Sequence, residues 1–270
     1  DRGANPNLAL PFAIRTSDIQ FFDDLMFRFN ANADEAFAES LKANNRTFIE
    51  KVLQTNRINP NLHMPKVAQM GDLELVQTLV EKGADPNKGI KNAVNNNHLK
   101  VVEYLLWEGA SPSGFIDEAA QKGHQDMVFL LLEYGADPDD AMRSAVQYDQ
   151  NAIVQMLLNY GAETRGQLAD PAADGNLELV QLLLDGGANP NEGMRDAVKN
   201  NHFDVVQTLL NHGAKAGGHL EIPVSKNRRE MTRLLLEFDA NPNEGMSIAV
   251  QKGHNDLVAD LLKYGADGTK

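Results

Sequence analysis

The feature that most constrains this chain is a recurrence. A glycine followed by alanine returns at Gly83, Gly109, Gly135, Gly161, Gly187 and Gly213, in steps of 26 residues; Asp239-Ala240 then fills the slot, and Gly265 resumes it. Toward the N-terminus Arg57-Ile58 takes the slot within "RINPN", and Asn30-Ala31 and Gly3-Ala4 follow at 27-residue steps. The spacing divides residues 1–270 into a single array of units starting near 3, 30, 57, 83, 109, 135, 161, 187, 213 and 239, with a fragment from 265. A unit this short cannot bury its apolar side alone, so the period predicts stacked units sharing a core between neighbours, a solenoid.

One unit shows what is stacked. "GADPN" at 83–87 offers a helix-ending glycine, Asp-Pro-Asn turn chemistry and Asn87 as the expected N-cap of a first helix. That helix carries Ile90, Ala93 and Val94 on one face, and "NNNH" breaks it. A second helix presents Val101, Val102, Leu105 and Leu106, matched by Leu179, Val180, Leu183 and Leu184 and by Val205, Val206, Leu209 and Leu210. Acidic residues collect in its first turn (Glu74, Asp126, Glu178, Asp204, Glu230, Asp256), where they complement the helix dipole. Helices of about ten residues are marginal alone. The expected class is therefore all-α, an α-solenoid of helix-turn-helix units.

Two units break the pattern. Pro171 and Pro223 stand where other units have an alanine of the first helix. Proline fits the first turn of a helix but costs about 3 kcal/mol or more in its interior. The first helix is therefore expected to start late at 161–186, with Asp170 as N-cap and Pro171 next. The loops "ETRGQL" and "KAGGHL" are expected to be looser than their neighbours, either as drifted repeats or as a bend or contact point. The opening "DRGANPN", without an initiator Met, reads as the tail of a preceding second helix in a longer chain.

"GHNDLVADLLKYGADG" at 253–268 and "NHLKVVEYLLWEGASPS" at 97–113 resemble the second half of an ankyrin repeat, and the likeness extends along essentially the whole chain. Ankyrin units run to about 33 residues and include a β-turn finger before Thr-Pro-Leu-His. Here Thr-Pro-Leu-His is missing and the finger shrinks to pairs such as Lys88-Gly89 or Glu192-Gly193. The resemblance implies a protein-binding array that uses the inner, first-helix face. It also permits a second reading, the targeting arm of a larger enzyme or of a bacterial effector delivered into host cells.

Composition and motifs narrow the function further. A net charge of −13 and a pI near 4.9 argue against nucleic acid or an anionic membrane as partner, since both select a basic field. With no cysteine there is no disulfide, thiolate metal site or cysteine nucleophile, which fits a cytoplasmic location, or the host cytosol for an effector. The apolar run "MVFLLL" at 127–132 is far too short to span a bilayer. His98, His124, His202 and His254 share one repeat position. Stacked equivalents lie roughly 8–10 Å apart, whereas zinc needs its nitrogens at about 2.1 Å, so these histidines read as structural. No nucleophile elbow, P-loop or dinucleotide fingerprint occurs, and neither catalysis, metal nor cofactor is expected.

The residues after the buried Ala-Val pair vary between units, from Gln69 and Met70 through to Gln251 and Lys252, and form the expected partner-binding face. Asn96, Gln121, Lys122, Gln147, Tyr148, Lys199 and Asn200 are its chosen contacts, with tyrosine the best anchor. Phe115, standing where its neighbours have Gly or Ala, is expected to plug the stack or meet a ligand. On the second helices Trp107 and Phe129 replace polar residues in slots four apart, which places them on one outer stripe and marks a possible second patch.

Overall fold

The computed structural model describes residues 5–267, and every regular element among them is helical. Gly3-Ala4 and the last three residues of the fragment from 265 lie outside the described residues. The chain divides into two compact units, Asp1–Pro112 and Ser113–Lys270.

In the first unit a 3-10 turn, Pro6–Ala9, enters α1 (Leu10–Thr16), which pairs with α2 (Ile19–Asp23) and its π-turn extension Asp24–Arg28. The pairs α3 (Ala33–Lys42) with α4 (Arg46–Gln54) and α5 (Pro60–Met70) with α6 (Leu73–Glu81) follow. A 3-10 turn, Pro86–Lys88, then leads into α7 (Ile90–Asn95) and α8 (Leu99–Trp107). The second unit continues the pattern with α9 (Ile116–Gln121) and α10 (Gln125–Glu133), then α11 (Asp139–Gln147) and α12 (Asn151–Asn159). Its remaining pairs are α13 (Ala169–Asp174) with α14 (Leu177–Asp185), α15 (Asn191–Asn200) with α16 (Phe203–Asn211), α17 (Glu221–Ser225) with α18 (Arg229–Glu237), and α19 (Asn243–Lys252) with α20 (Asn255–Lys263). Odd numbers are first helices, even numbers second helices. Within each unit the pairs stack in chain order, and Ile90, Ala93, Val94, Val101, Val102, Leu105 and Leu106 all go into the core.

The recurring Gly-Ala has a backbone reason. Gly187 sits at φ +90° and its amide donates to Leu184 O at 2.9 Å, while the next amide, Ala188, reaches back to Leu183 O. That pattern ends the helix in the left-handed region, and the alanine methyl turns into the core. Asp239 adopts the same turn at φ +66°. In the Arg57 variant of the slot, the guanidinium caps the preceding chain instead, donating to Met26 O at 3.1 Å and Ala31 O at 2.9 Å.

Asn87 is not the N-cap. Asp85 caps the turn, accepting from the Asn87 amide, whereas the Asn87 carboxamide accepts the Ser111 amide of the next loop at 2.9 Å. The same rung recurs from Asn191 to Lys215 and from Asn243 to Asp267, at 2.9 and 2.7 Å. Where this slot holds Asn or Asp, the side chain thus satisfies a backbone donor in the neighbouring loop, where a cap would serve only its own helix.

The proline units also differ from expectation. Leu168 and Leu220 precede the first helical residues, so Pro171 and Pro223 fall third in α13 and α17. The first amide bonded inside each helix comes one residue later, Ala172 to Leu168 O and Val224 to Leu220 O, both at 3.1 Å. Both helices do start late, about four residues behind α11, α15 and α19 in the repeat frame, but at Ala169 and Glu221 and not from an Asp170 cap. A third-position amide has no intrahelical partner to lose, so proline fits there. Nor are the loops loose at their ends, since Leu168 and Leu220 are fully buried and each loop amide, Gly166 or Gly218, is held by the carboxylate of Glu192 or Glu244 at 3.0 or 2.9 Å.

A further order lies above the 26-residue period. In one slot at the entrance to the first helix the chain reads His63, Gly89, Phe115, Ala141, Gln167, Gly193, His219, Gly245, large and small in strict alternation. The small residues let successive first helices touch. A Cβ on Gly193 would lie 2.4 Å from Ala172 Cβ, and one on Gly89 would lie 3.0 Å from Met64. Where His63 or His219 stands instead, the first helices part and leave an open groove between α3 and α5 and another between α15 and α17. Within the second unit the architectural repeat is therefore 52 residues, with α9 on α11, α13 on α15 and α17 on α19 close and α15 from α17 open.

Candidate functional site

In the second unit, two expected contact residues bond to each other and a third is paired within its own helix. Gln121 closes α9 and Tyr148 follows α11; Gln121 Nε2 donates to the Tyr148 hydroxyl at 2.7 Å, joining exposed side chains of successive first helices. Lys122 Nζ meets Glu118 Oε1 at 2.8 Å, so its charge is locally paired and the face is less basic than lysine alone implies. Gln147 and Lys199 are exposed, and Asn200 donates to Ala173 O of the preceding pair at 2.7 Å. Phe115 is half-buried at the start of α9. In the first unit Asn96 is exposed and bonds to Asn92 O of its own helix.

The two second-helix aromatics are both exposed, Trp107 at 72% in the first unit and Phe129 at 49% in the second. Trp107 has a ring neighbour on α8, Tyr104, with centroids 6.3 Å apart. Burial, followed by a hydrogen bond to Glu108, pushes the Tyr104 hydroxyl up to about 12.

Among the shared histidines, His98 Nε2 donates to Gln69 O at 2.9 Å and His202 Nε2 to Ala173 O at 2.8 Å. Each ring lies over a glycine of the preceding pair, Gly71 or Gly175, where a Cβ would approach to 2.5 or 2.4 Å. They are braces between repeats. Among the described residues no group of three His, Asp or Glu converges closely enough to hold a metal ion, and no helix is long and apolar enough to cross a membrane.

One concavity belongs to residues that the first-helix series does not single out. The groove between α3 and α5 has a volume of about 650 Å³. At its base His63, 5% exposed, packs at a tilt against Phe37, ring centroids 4.7 Å apart, and donates from Nε2 to Asp34 Oδ1 at 2.8 Å. Leu41, Leu62 and Met70 supply apolar wall, and Lys42 and Lys66 stand at the rim. The signal was present in the sequence. Leu62 occupies a slot otherwise filled by Lys88, Asp140, Glu192, Glu244 or glycine, and Met70 one filled by Asn96, Lys122, Tyr148, Asp174, Asn200, Lys226 or Lys252.

The smaller groove, about 320 Å³, lies between α15 and α17 and includes Arg195 and His219. Desolvation, with some help from Arg195, lowers the His219 pKa against the opposing field of Glu244.

Comparison with known proteins agrees with this geometry. Residues 64–142 and 90–168 each match the family described as "Ankyrin repeats (3 copies)". No curated protein matches the chain in sequence. Among solved structures, the ankyrin repeat domain of Bcl-3, described as a member of the IkappaB family, is 24% identical, with a TM-score of 0.53 over 59% of this chain and 88% of that one. An ankyrin repeat domain from Acinetobacter baumannii AYE is 19% identical, with a TM-score of 0.51 over 56% of this chain and 98% of that one. At these identities the likeness establishes the fold.

Proposed function

We propose that this chain, whose residues 64–168 match ankyrin repeats, a protein-interaction module, binds a polypeptide partner along its first helices and carries out no chemistry of its own. The contacts are Gln121, Lys122, Gln147, Tyr148, Lys199 and Asn200 in the second unit and Asn96 in the first. The observation that carries the reading is the Gln121–Tyr148 hydrogen bond. It holds two exposed side chains of successive helices in one arrangement, so less side-chain entropy is lost when a partner arrives. Tyrosine then offers a large, rigid contact area and a hydroxyl proton still free to donate.

The test is affinity capture by the parent chain beside a Lys122→Glu, Tyr148→Ala, Lys199→Glu variant, with circular dichroism confirming that both are folded. A protein retained by the parent and lost at least tenfold by the variant supports the first-helix face. Equal retention moves the contact to the Trp107 and Phe129 side or to the loops, and capture of nothing specific by either chain overturns the proposal.

A further inference from the structure

We propose that the groove between α3 and α5 is the main anchoring site for the partner, and that its occupant is an extended polypeptide segment presenting one large apolar side chain between a basic and an acidic residue. This rests on the protein-binding reading above and names the chemistry that the reading leaves open.

Three observations converge on that occupant. First, the groove is built by a substitution in the repeat. His63 fills a slot that glycine or alanine occupies at every close interface, and it is fixed by Asp34 and by the Phe37 ring, so the opening is held by packed side chains. Second, its wall is apolar against the pattern of the array. Leu62 is 62% exposed where the other copies of its slot are charged or glycine, and Met70 is only half-buried where the others are polar. An exposed leucine beside a concavity gains nothing from the fold itself and gains burial when covered. Third, the charges at the rim are separated by sign. Glu35, in the first turn of α3, is exposed and makes no ion pair among the described residues, while Lys42 ends the same helix with a loose ion pair to Glu39 at 3.6 Å. Lys66 lines the groove from α5 and, among the described residues, bonds to the neutral Gln69 at 3.2 Å without an ion pair. Seven residues of helix place Glu35 and Lys42 about 10 Å apart, the reach of roughly three residues of extended chain. An occupant complementary to this surface puts its basic group at the Glu35 end, its apolar side chain against Leu62, Leu41 and Met70, and its carboxylate between Lys42 and Lys66.

The experiment pans a phage-displayed library of random dodecapeptides against the full chain and measures the selected peptides, as synthetic fluorescent probes, by polarisation. The expected selection is a large apolar residue flanked by opposite charges, with affinity for Leu62→Asp at least tenfold weaker at an unchanged melting temperature. Panning a Lys42→Glu, Lys66→Glu variant should replace the selected acidic residue with a basic one. Peptides that bind Leu62→Asp as tightly as the parent, or a selection without that charge pattern, overturn the groove. Two failures are distinguishable: peptides lost with Tyr148→Ala but kept with Leu62→Asp leave the first-helix reading standing without the groove, whereas no selected peptide and no captured protein removes both.

Discussion

At the scale of the residue, two glycines in one helix pair illustrate two different constraints. Gly187 needs its backbone: φ is +90° and a Cβ there would have no atom within 4 Å. Gly187→Ala should therefore lose about 1–2 kcal/mol through the left-handed conformation alone, measurable by urea unfolding. Gly193 needs its size, because its own helix would prefer alanine by about 1 kcal/mol, yet the added methyl would sit 2.4 Å from Ala172 Cβ. Gly193→Ala should be destabilising, and a second change, Ala172→Gly, should recover most of the loss. A third residue, Asp260, is 6% exposed and accepts from Arg229 at 2.6 Å and Arg233 at 2.8 Å. Those hydrogen bonds hold its carboxyl well below the ordinary value of 3.8. A depressed carboxylate contributes stability in full above its unfolded pKa and loses it as pH falls through the folded one. Asp260→Asn should thus melt lower than the parent at pH 7 and pH 5, with the gap narrowing only below about pH 4, where the unfolded chain's carboxyl takes up a proton that the folded one does not.

At the scale of the element, the second helices follow the plain pattern of apolar residues, and their positions were legible from Leu179, Val180, Leu183 and Leu184 onward. First helices were less so. Pro171 does accompany a late helix start, but it stands third in α13, after Leu168 and not after an Asp170 cap, where its missing amide proton costs no bond. Ala145 fills the same slot in the longer α11, well past the first turn. Thermal melts should accordingly show Pro171→Ala within about 1 kcal/mol of the parent, and Ala145→Pro destabilised by about 3 kcal/mol or more. The Asn87 reading failed for a related reason: local turn chemistry identifies a side chain able to accept an amide proton, but the amide it accepts belongs to Ser111 in another loop.

At the scale of the whole molecule, burial in each pair depends on what lies on either side. Val198 is 1% exposed between two neighbours, but its equivalent Val250 in the last pair is 59% exposed, and Leu262 is 48% exposed where Leu210 is 3%. Stability in such stacks is a sum of pair and interface contributions. Hydrogen exchange should therefore begin in α19 and α20 and be slowest in α14 to α16, and Val250→Gln should cost far less than Val198→Gln. The candidate contact face was legible as a set of varying positions after the Ala-Val pair. The groove was not, although Leu62 and Met70 were visible departures, because the meaning of an apolar residue in a polar slot depends on the gap beside it.

By itself the sequence determined the helix pair, its turns and its stacking, because period, glycine placement and apolar spacing act within one unit or between identical ones. Only the tertiary structure decided which neighbouring first helices touch and which part. That depends on one side chain, glycine at 193 or histidine at 63, meeting the surface of the preceding pair. The alternation of that slot is written in the sequence, but its meaning comes from contact with residues about 20 to 30 positions away, which the structure alone brings together.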